Sequence, residues 1–146
     1  MKKIIFYETN DKESVLIKLI EKFYIQNKRV IIFCHNNDEV LYYEKILWTR
    51  SFFLPHGSYN TFEDSSEHPI WLSTSFKNEN NAQIAFNLSI ETVLLPFENI
   101  INISGKNLLE HLGFYKNKGY DIQYWRKEKQ GWNDCTHGIN HKNDCS

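Results

Sequence analysis

The sequence lacks an excess of charge of either sign, because its 146 residues carry 17 basic and 18 acidic side chains. A protein whose main partner is nucleic acid usually shows a basic face or a high isoelectric point. The net charge of this chain is only −1. We therefore expect it to bind no nucleic acid directly.

Long apolar runs are also absent. A membrane-spanning helix needs about 20 consecutive apolar residues, and no segment of the chain approaches that length. The run Ile4–Tyr7 follows two lysines but is too short for the core of a signal peptide. We therefore expect a cytoplasmic protein without a membrane partner, whose three cysteines, Cys34, Cys135 and Cys145, are free thiols.

Glycine is missing from the two turns where a nucleotide-binding fold would need it. The first strand-to-helix turn spans residues 8–12 and the second spans 35–38, and neither contains a glycine. Phosphate recognition depends on backbone N–H groups that approach the ligand closely at a helix N-terminus. In the first turn, Glu8 and Asp11 stand where phosphate would bind. This pattern argues against nucleotide binding of the usual kinds, and we expect no cofactor.

Strand and helix patterns alternate along the chain. Lys3–Tyr7 is short, apolar and β-branched, and a helix follows in which Asn10 is the expected cap. Arg29–Cys34 is almost continuously apolar, which is typical of a central parallel strand. A second helix follows, with Asn36 or Asn37 as its cap. This alternation predicts an α/β fold.

The second helix should turn Val40, Tyr43 and Leu47 inward, and residues 57–67 form a polar loop. Further strands are predicted at 69–73, 82–88, 99–103 and 120–126, with a short helix at 107–118 that Gly119 ends. We expect one domain over residues 1–130 with a mostly parallel Rossmann-like sheet flanked by helices. Residues 131–146 are predicted to form a disordered polar tail.

Catalytic groups are hard to assemble from this sequence. Ser75, His56 and Asp64 could form a hydrolytic triad on paper, as could Cys34 with its neighbour His35, but no nucleophile elbow is present. Cys34 lies in an apolar strand, where a thiol is normally inert packing. We predict no catalytic residue.

The tail contains four residues that zinc could bind, spaced as Cys135-x-His137-x3-His141-x3-Cys145. The spacing matches no structural-zinc pattern, and little apolar sequence surrounds it. A mobile C-terminal extension is the preferred interpretation, so we predict no metal site.

The segment Trp48–His56 concentrates three large aromatic side chains and a leucine before Pro55. Such a cluster either closes a hydrophobic core or anchors another protein. Residue types alone leave both possibilities open. Pro55 slightly favours an anchor, because a stiffened segment presents its side chains at lower entropic cost.

Several motifs, in order and spacing, resemble the chi subunit of bacterial DNA polymerase III over residues 1 to about 127. They are Phe6-Tyr7, Lys28-Arg29-Val30, Leu47–Arg50 with Phe53–His56, Phe97–Ile103, and Tyr115-Lys116-x-x-Gly119-Tyr120-x-Ile122-x-Tyr124-Trp125. The resemblance implies a non-catalytic accessory of the clamp loader, with a nucleotide-binding-like fold that lacks the phosphate site. The rival hypothesis is an enzyme on the same kind of scaffold.

One surface of the family binds the psi subunit, which links chi to the clamp loader. In some bacteria the same surface is implicated in binding a helicase instead. The matching positions in this sequence are Trp48, Arg50, Phe53, Leu54 and Pro55.

A second surface of the family holds the acidic, phenylalanine-terminated tail of single-stranded DNA-binding protein. Here Leu109 and Leu112 stand where the family carries an arginine and an aromatic residue, while Tyr115 and Lys116 match in type. A terminal carboxylate needs a cation or an N–H donor, which Lys106, Lys116 or Lys118 would supply. The alternative is that the two leucines only pack their helix onto the sheet.

Overall fold

The computed structural model describes residues 3–50, 57–58, 68–88, 97–104, 109–128 and 131–136. The strands in these ranges are β1 (Lys3–Glu8), β2 (Val30–Phe33), β3 (Gly57–Ser58), β4 (Ile70–Ser73), β5 (Ile84–Asn87), β6 (Asn99–Ser104), β7 (Asp121–Glu128) and β8 (Gly131–Asp134). The helices are α1 (Lys12–Ile25), α2 (Asn37–Arg50) and α3 (Leu109–Asn117). No helix within the described residues is long and apolar enough to cross a membrane.

All eight strands belong to one sheet, in the order β3-β4-β2-β5-β6-β1-β7-β8. Each neighbouring pair is parallel except β7 and β8, which are antiparallel. Parallel strands need crossover connections, and α1, α2 and α3 lie in three of them. The predicted α/β fold with a mostly parallel sheet flanked by helices is confirmed.

The core lies on both faces of the sheet. Ile5 packs with α1 and α2, whereas its neighbours Ile4 and Phe6 pack on the other face with α3. This division follows from the strand geometry, since successive side chains point to opposite faces. Strand β2 is buried at all four positions, as its continuous apolar sequence predicted.

The helix ends follow local side-chain chemistry. Asp11, not the expected Asn10, caps α1, because its carboxylate accepts a hydrogen bond from the Ser14 N–H at 3.3 Å. The helix ends before Asn27, whose φ of 59° is left-handed, and α3 ends before Gly119, whose φ is 80°. The stop at Gly119 agrees with the sequence prediction.

The C-terminal part differs from the expected tail. Residues 131–134 form β8 and pair antiparallel with β7, so order continues at least to Thr136. Strand β3 likewise lies in the expected loop, at Gly57–Ser58. Both strands are short and carry almost no apolar sequence, so the hydrophobic pattern gave no signal for them.

The cysteines also differ from the expectation of three free thiols. Cys34 is free and buried, but Cys135 is disulfide-bonded. The prediction rested only on the expected reducing compartment, and not on the geometry that a disulfide bond requires.

Candidate functional site

The end of β1 and the start of α1 form the place where a nucleotide-binding fold would hold phosphate. Asp11 occupies the N-terminus of α1, and Thr9 accepts a hydrogen bond from the Asp11 N–H at 3.1 Å. At the end of β1, the Glu8 carboxylate accepts a hydrogen bond from the Tyr124 hydroxyl and pairs with Arg126 Nε at 2.7 Å. Carboxylates therefore fill the turn that would receive an anion.

Side chains also take up backbone N–H groups at the start of α2. The Asn36 side chain accepts a hydrogen bond from the Glu39 N–H at 2.9 Å, and the Glu39 carboxylate accepts one from the His35 N–H at 2.7 Å. This reciprocal arrangement resembles a capping box and uses the donors that a phosphate would need. Of the two caps predicted for α2, the structure selects Asn36.

The two nucleophile candidates, Cys34 and Ser75, have different surroundings. Cys34 is fully buried, and burial together with Glu39 and Glu44 raises the pKa of its thiol to about 12, so the reactive thiolate is disfavoured. Ser75 shares the Glu79 carboxylate with Ser73, at 3.0 Å and 2.5 Å respectively. Its predicted triad partners, His56 and Asp64, lie outside the described residues.

Within the described ranges, no group of three or more His, Cys, Asp or Glu side chains could hold a metal ion. Of the four possible zinc ligands in the tail, only Cys135 is described, and its disulfide bond removes the thiolate that zinc would need.

The predicted psi-binding surface begins on the C-terminal half of α2. Trp48 is 59% exposed, while its neighbour Leu47 is only 2% exposed. Arg50 is the last residue of the helix, and Phe53, Leu54 and Pro55 lie outside the described residues. Trp48 therefore lies at the surface and does not close the core, whereas the roles of Phe53, Leu54 and Pro55 stay predictions.

Two further exposed side chains on α2 were missed by the sequence reasoning. Leu41 is 48% exposed and Tyr42 is 49% exposed. Leu41 precedes Trp48 by seven residues, so the two lie on the same side of the helix, with the exposed Lys45 between them. The sequence could have predicted the exposure of Leu41, because a helix that buries Val40, Tyr43 and Leu47 directs Leu41 outward.

The predicted site for the tail of single-stranded DNA-binding protein lies on and before α3. Lys106 is outside the described residues, and Leu109 is the first residue of the helix. Leu112 and Tyr115 are 3% and 0% exposed, so they pack α3 onto the sheet, as the alternative interpretation held for Leu112. Lys116 lies exposed in the last turn.

A second cation and an aromatic residue lie close together near the end of α3. Phe114 is half-buried, and Lys118 Nζ lies 5.7 Å from the centre of its ring. The end of α3 thus presents the exposed Lys116 and, just after the helix, Lys118 beside an aromatic ring; the sequence had named both lysines but not Phe114.

Comparison with known proteins identifies the family of the chain. A family model described as "DNA polymerase III chi subunit, HolC" matches residues 1–123. A protein of Rickettsia prowazekii (strain Madrid E), "Probable DNA polymerase III subunit chi", is 30% identical over 126 residues. That alignment covers 77% of this chain and 74% of the Rickettsia protein.

Proposed function

The chain belongs to the DNA polymerase III chi subunit family, and from that membership we propose that it is a replication accessory protein. It acts in the cytoplasm as a scaffold without catalytic turnover or cofactor. It joins single-stranded DNA-binding protein to the clamp loader through the psi subunit, or to an equivalent partner such as a helicase.

The exposed Trp48 carries the proposal of a psi-binding surface. Large aromatic side chains that remain in water are typical anchors of protein interfaces. Leu41 and Trp48, with Lys45 between them, form an exposed stripe on α2, and the chain continues from the helix into the segment that contains Phe53, Leu54 and Pro55. We expect this stripe and that segment to bind one partner together.

An affinity capture from lysate of the source organism tests this surface. The wild-type protein should retain a clamp-loader protein or a helicase, identified by mass spectrometry, and Trp48→Ala and Phe53→Ala should each lose it. Ile25→Ala is a matched control, because Ile25 is 79% exposed at the end of α1 and outside the proposed surface. Equal capture by wild type and both aromatic variants would contradict the proposal.

The exposed side of α3 supports the proposal of a site for the tail of single-stranded DNA-binding protein. Lys116 and Lys118 would receive acidic side chains or the terminal carboxylate, and Phe114 would contact the terminal phenylalanine. The buried Leu112 and Tyr115 would hold the helix in place beneath the ligand.

A fluorescent peptide that ends in acidic residues and phenylalanine tests this second site. We expect saturable binding that weakens when the C-terminus is amidated and in Lys116→Glu. Lys45→Glu is the control, because Lys45 is exposed on α2. No saturable binding at tens of micromolar would contradict the site.

The filled helix N-termini support a scaffold over the rival hypothesis of an enzyme on a nucleotide-binding-like fold. Titration calorimetry with common nucleotides should give no saturable heat, because Asp11 and Asn36 already accept hydrogen bonds from N–H groups of the first turns of α1 and α2. Saturable binding of a nucleotide would favour the rival.

A further inference from the structure

A groove of about 610 Å³ lies on the α1 face of the sheet. Strand β1 forms its centre, α1 forms one wall, and β7 and β8 form the other. Helices α1 and α2 pack over the part of this face nearer β2, whereas α3 packs on the opposite face. The strip over β1, β7 and β8 therefore lacks a covering helix among the described residues.

The interior of the groove is apolar and partly aromatic. Tyr7 and Trp125 are neighbours in the β1–β7 register, and the Trp132 ring lies 5.3 Å from the Tyr7 ring. Leu19 from α1 and Ile101 from β6 complete the apolar lining. Burial raises the pKa of the Tyr7 hydroxyl, in agreement with a poorly hydrated interior.

The rim of the groove is cationic. Lys18 and Lys22 follow one another on successive turns of α1, and Lys127 projects from β7 with its ammonium 5.4 Å from the centre of the Trp132 ring. The acidic lining residue, Asp11, is engaged as the cap of α1. Neither Lys18 nor Lys22 forms an ion pair within the described part of the chain.

We propose that this groove is a docking site for an acidic, amphipathic segment of a partner protein, which inserts large apolar side chains while its carboxylates meet Lys18 and Lys22. Charge complementarity identifies this occupant, since an apolar interior between lysines fits alternating apolar and acidic side chains. The proposal does not depend on the two surfaces described above, because the groove lies away from Trp48 and on the opposite face from α3.

The dimensions of the groove set the length of the segment. The lining residues of α1 run from Asp11 to Gln26, which is 15 residue steps or about 22 Å of helix. An extended chain of about seven residues spans that distance. At one end of the groove the Asp11 carboxylate caps the N-terminus of α1 and would repel a terminal carboxylate, so an internal segment is expected to bind at least as well as a chain terminus.

A single-stranded oligonucleotide is the competing occupant, because aromatic rings beside lysines also bind nucleic acid. The deep aliphatic lining favours an inserted side chain over a stacked base. Leu19, Ile101 and Ile5 offer no hydrogen bonds to the polar edge of a base.

The test uses an amide-capped fluorescent peptide of seven residues, Ac-DFDLDFD-NH2, and fluorescence anisotropy with the full chain. We expect saturable binding that weakens as salt rises, because the contacts to the rim are ionic. The variant K18E/K22E should lose about tenfold or more in affinity, since attraction becomes repulsion at two positions. Trp132→Ala should also weaken binding by removing part of the wall.

The matched control is K45E/K77E, which reverses two exposed lysines away from the groove and should bind within about twofold of wild type. Urea unfolding of each variant establishes that it is folded. No saturable binding of the peptide, equal losses in the two double variants, or binding of oligo-dT that the peptide cannot displace would each overturn the proposal.

Discussion

Leu47 and Trp48 are adjacent on α2 and provide a direct test of core against surface. Leu47 is 2% exposed and belongs to the buried cluster beneath α1 and α2. Its replacement by alanine removes apolar contacts and leaves a cavity. We expect Leu47→Ala to lower the free energy of unfolding by about 2–5 kcal/mol.

The corresponding value for Trp48 follows from its exposure. With 59% exposed, a side chain of about 250 Å² buries about 100 Å². At about 25 cal/mol per Å² this corresponds to about 2.5 kcal/mol as an upper bound. The denatured chain already buries part of that surface, and alanine retains its Cβ, so we expect Trp48→Ala to cost about 1–2 kcal/mol without a cavity.

Urea denaturation at neutral pH, followed by far-ultraviolet circular dichroism, measures both values. The two variants should share the denaturant slope of the wild type, so that the midpoints report stability alone. A loss for Trp48→Ala that equals or exceeds the loss for Leu47→Ala would refute the assignment of Trp48 to the surface. A folded Trp48→Ala protein that no longer captures its partner would support the interface.

Three other substitutions test the packing and electrostatics of the fold. The pKa of the Cys34 thiol is raised from 9.0 to about 12 in the folded protein. The resulting contribution to the free energy of unfolding is fully present below pH 9, and about 4 kcal/mol of it is lost as the pH rises from 9 to 12. Cys34→Ala should therefore flatten the alkaline fall in urea-measured stability, and an unchanged fall would contradict this. Asn36→Ala removes the cap of α2 and should lower the free energy of unfolding by about 1 kcal/mol, while Asn37→Ala should lower it much less. Equal shifts of the melting temperature in the two variants would show that Asn36 is not the cap. Leu112→Ala should cost about 2–5 kcal/mol and Lys116→Ala less than about 0.5 kcal/mol by urea denaturation, and comparable losses would contradict the burial of Leu112.

The order of strands and helices could be predicted from the sequence, because periodicity reports which side chains are buried. The inward face of α2 predicted from Val40, Tyr43 and Leu47 is confirmed. The position of each strand in the sheet could not be predicted, since pairing joins residues far apart in the chain. The choice of Asp11 over Asn10 as a cap was also out of reach, because both side chains can accept the same hydrogen bond.

The candidate site was predicted less completely than the fold. The sequence placed Trp48 in a segment of aromatic residues without deciding its exposure, which depends on how α2 packs against its neighbours. The apolar pattern of α3 correctly placed Leu112 and Tyr115 on the side of the helix that packs on the sheet. The family motif nevertheless also made them candidates for ligand contact. The groove beside β8 left no sequence signal, because it arises where a strand lacks a covering helix.

The interior position of β1 in the sheet, between β6 and β7, has a consequence for synthesis of the protein on the ribosome. Lys3 pairs with Asn99 of β6 on one side and with Asp121 of β7 on the other. Strand β1 therefore cannot form all its pairs until β6 and β7 have been synthesised. Contacts between such distant residues slow folding and leave apolar strand edges exposed meanwhile. A nascent chain that ends before β7 keeps one edge of β1 unpaired, so complete folding begins only after nearly the whole domain has been translated.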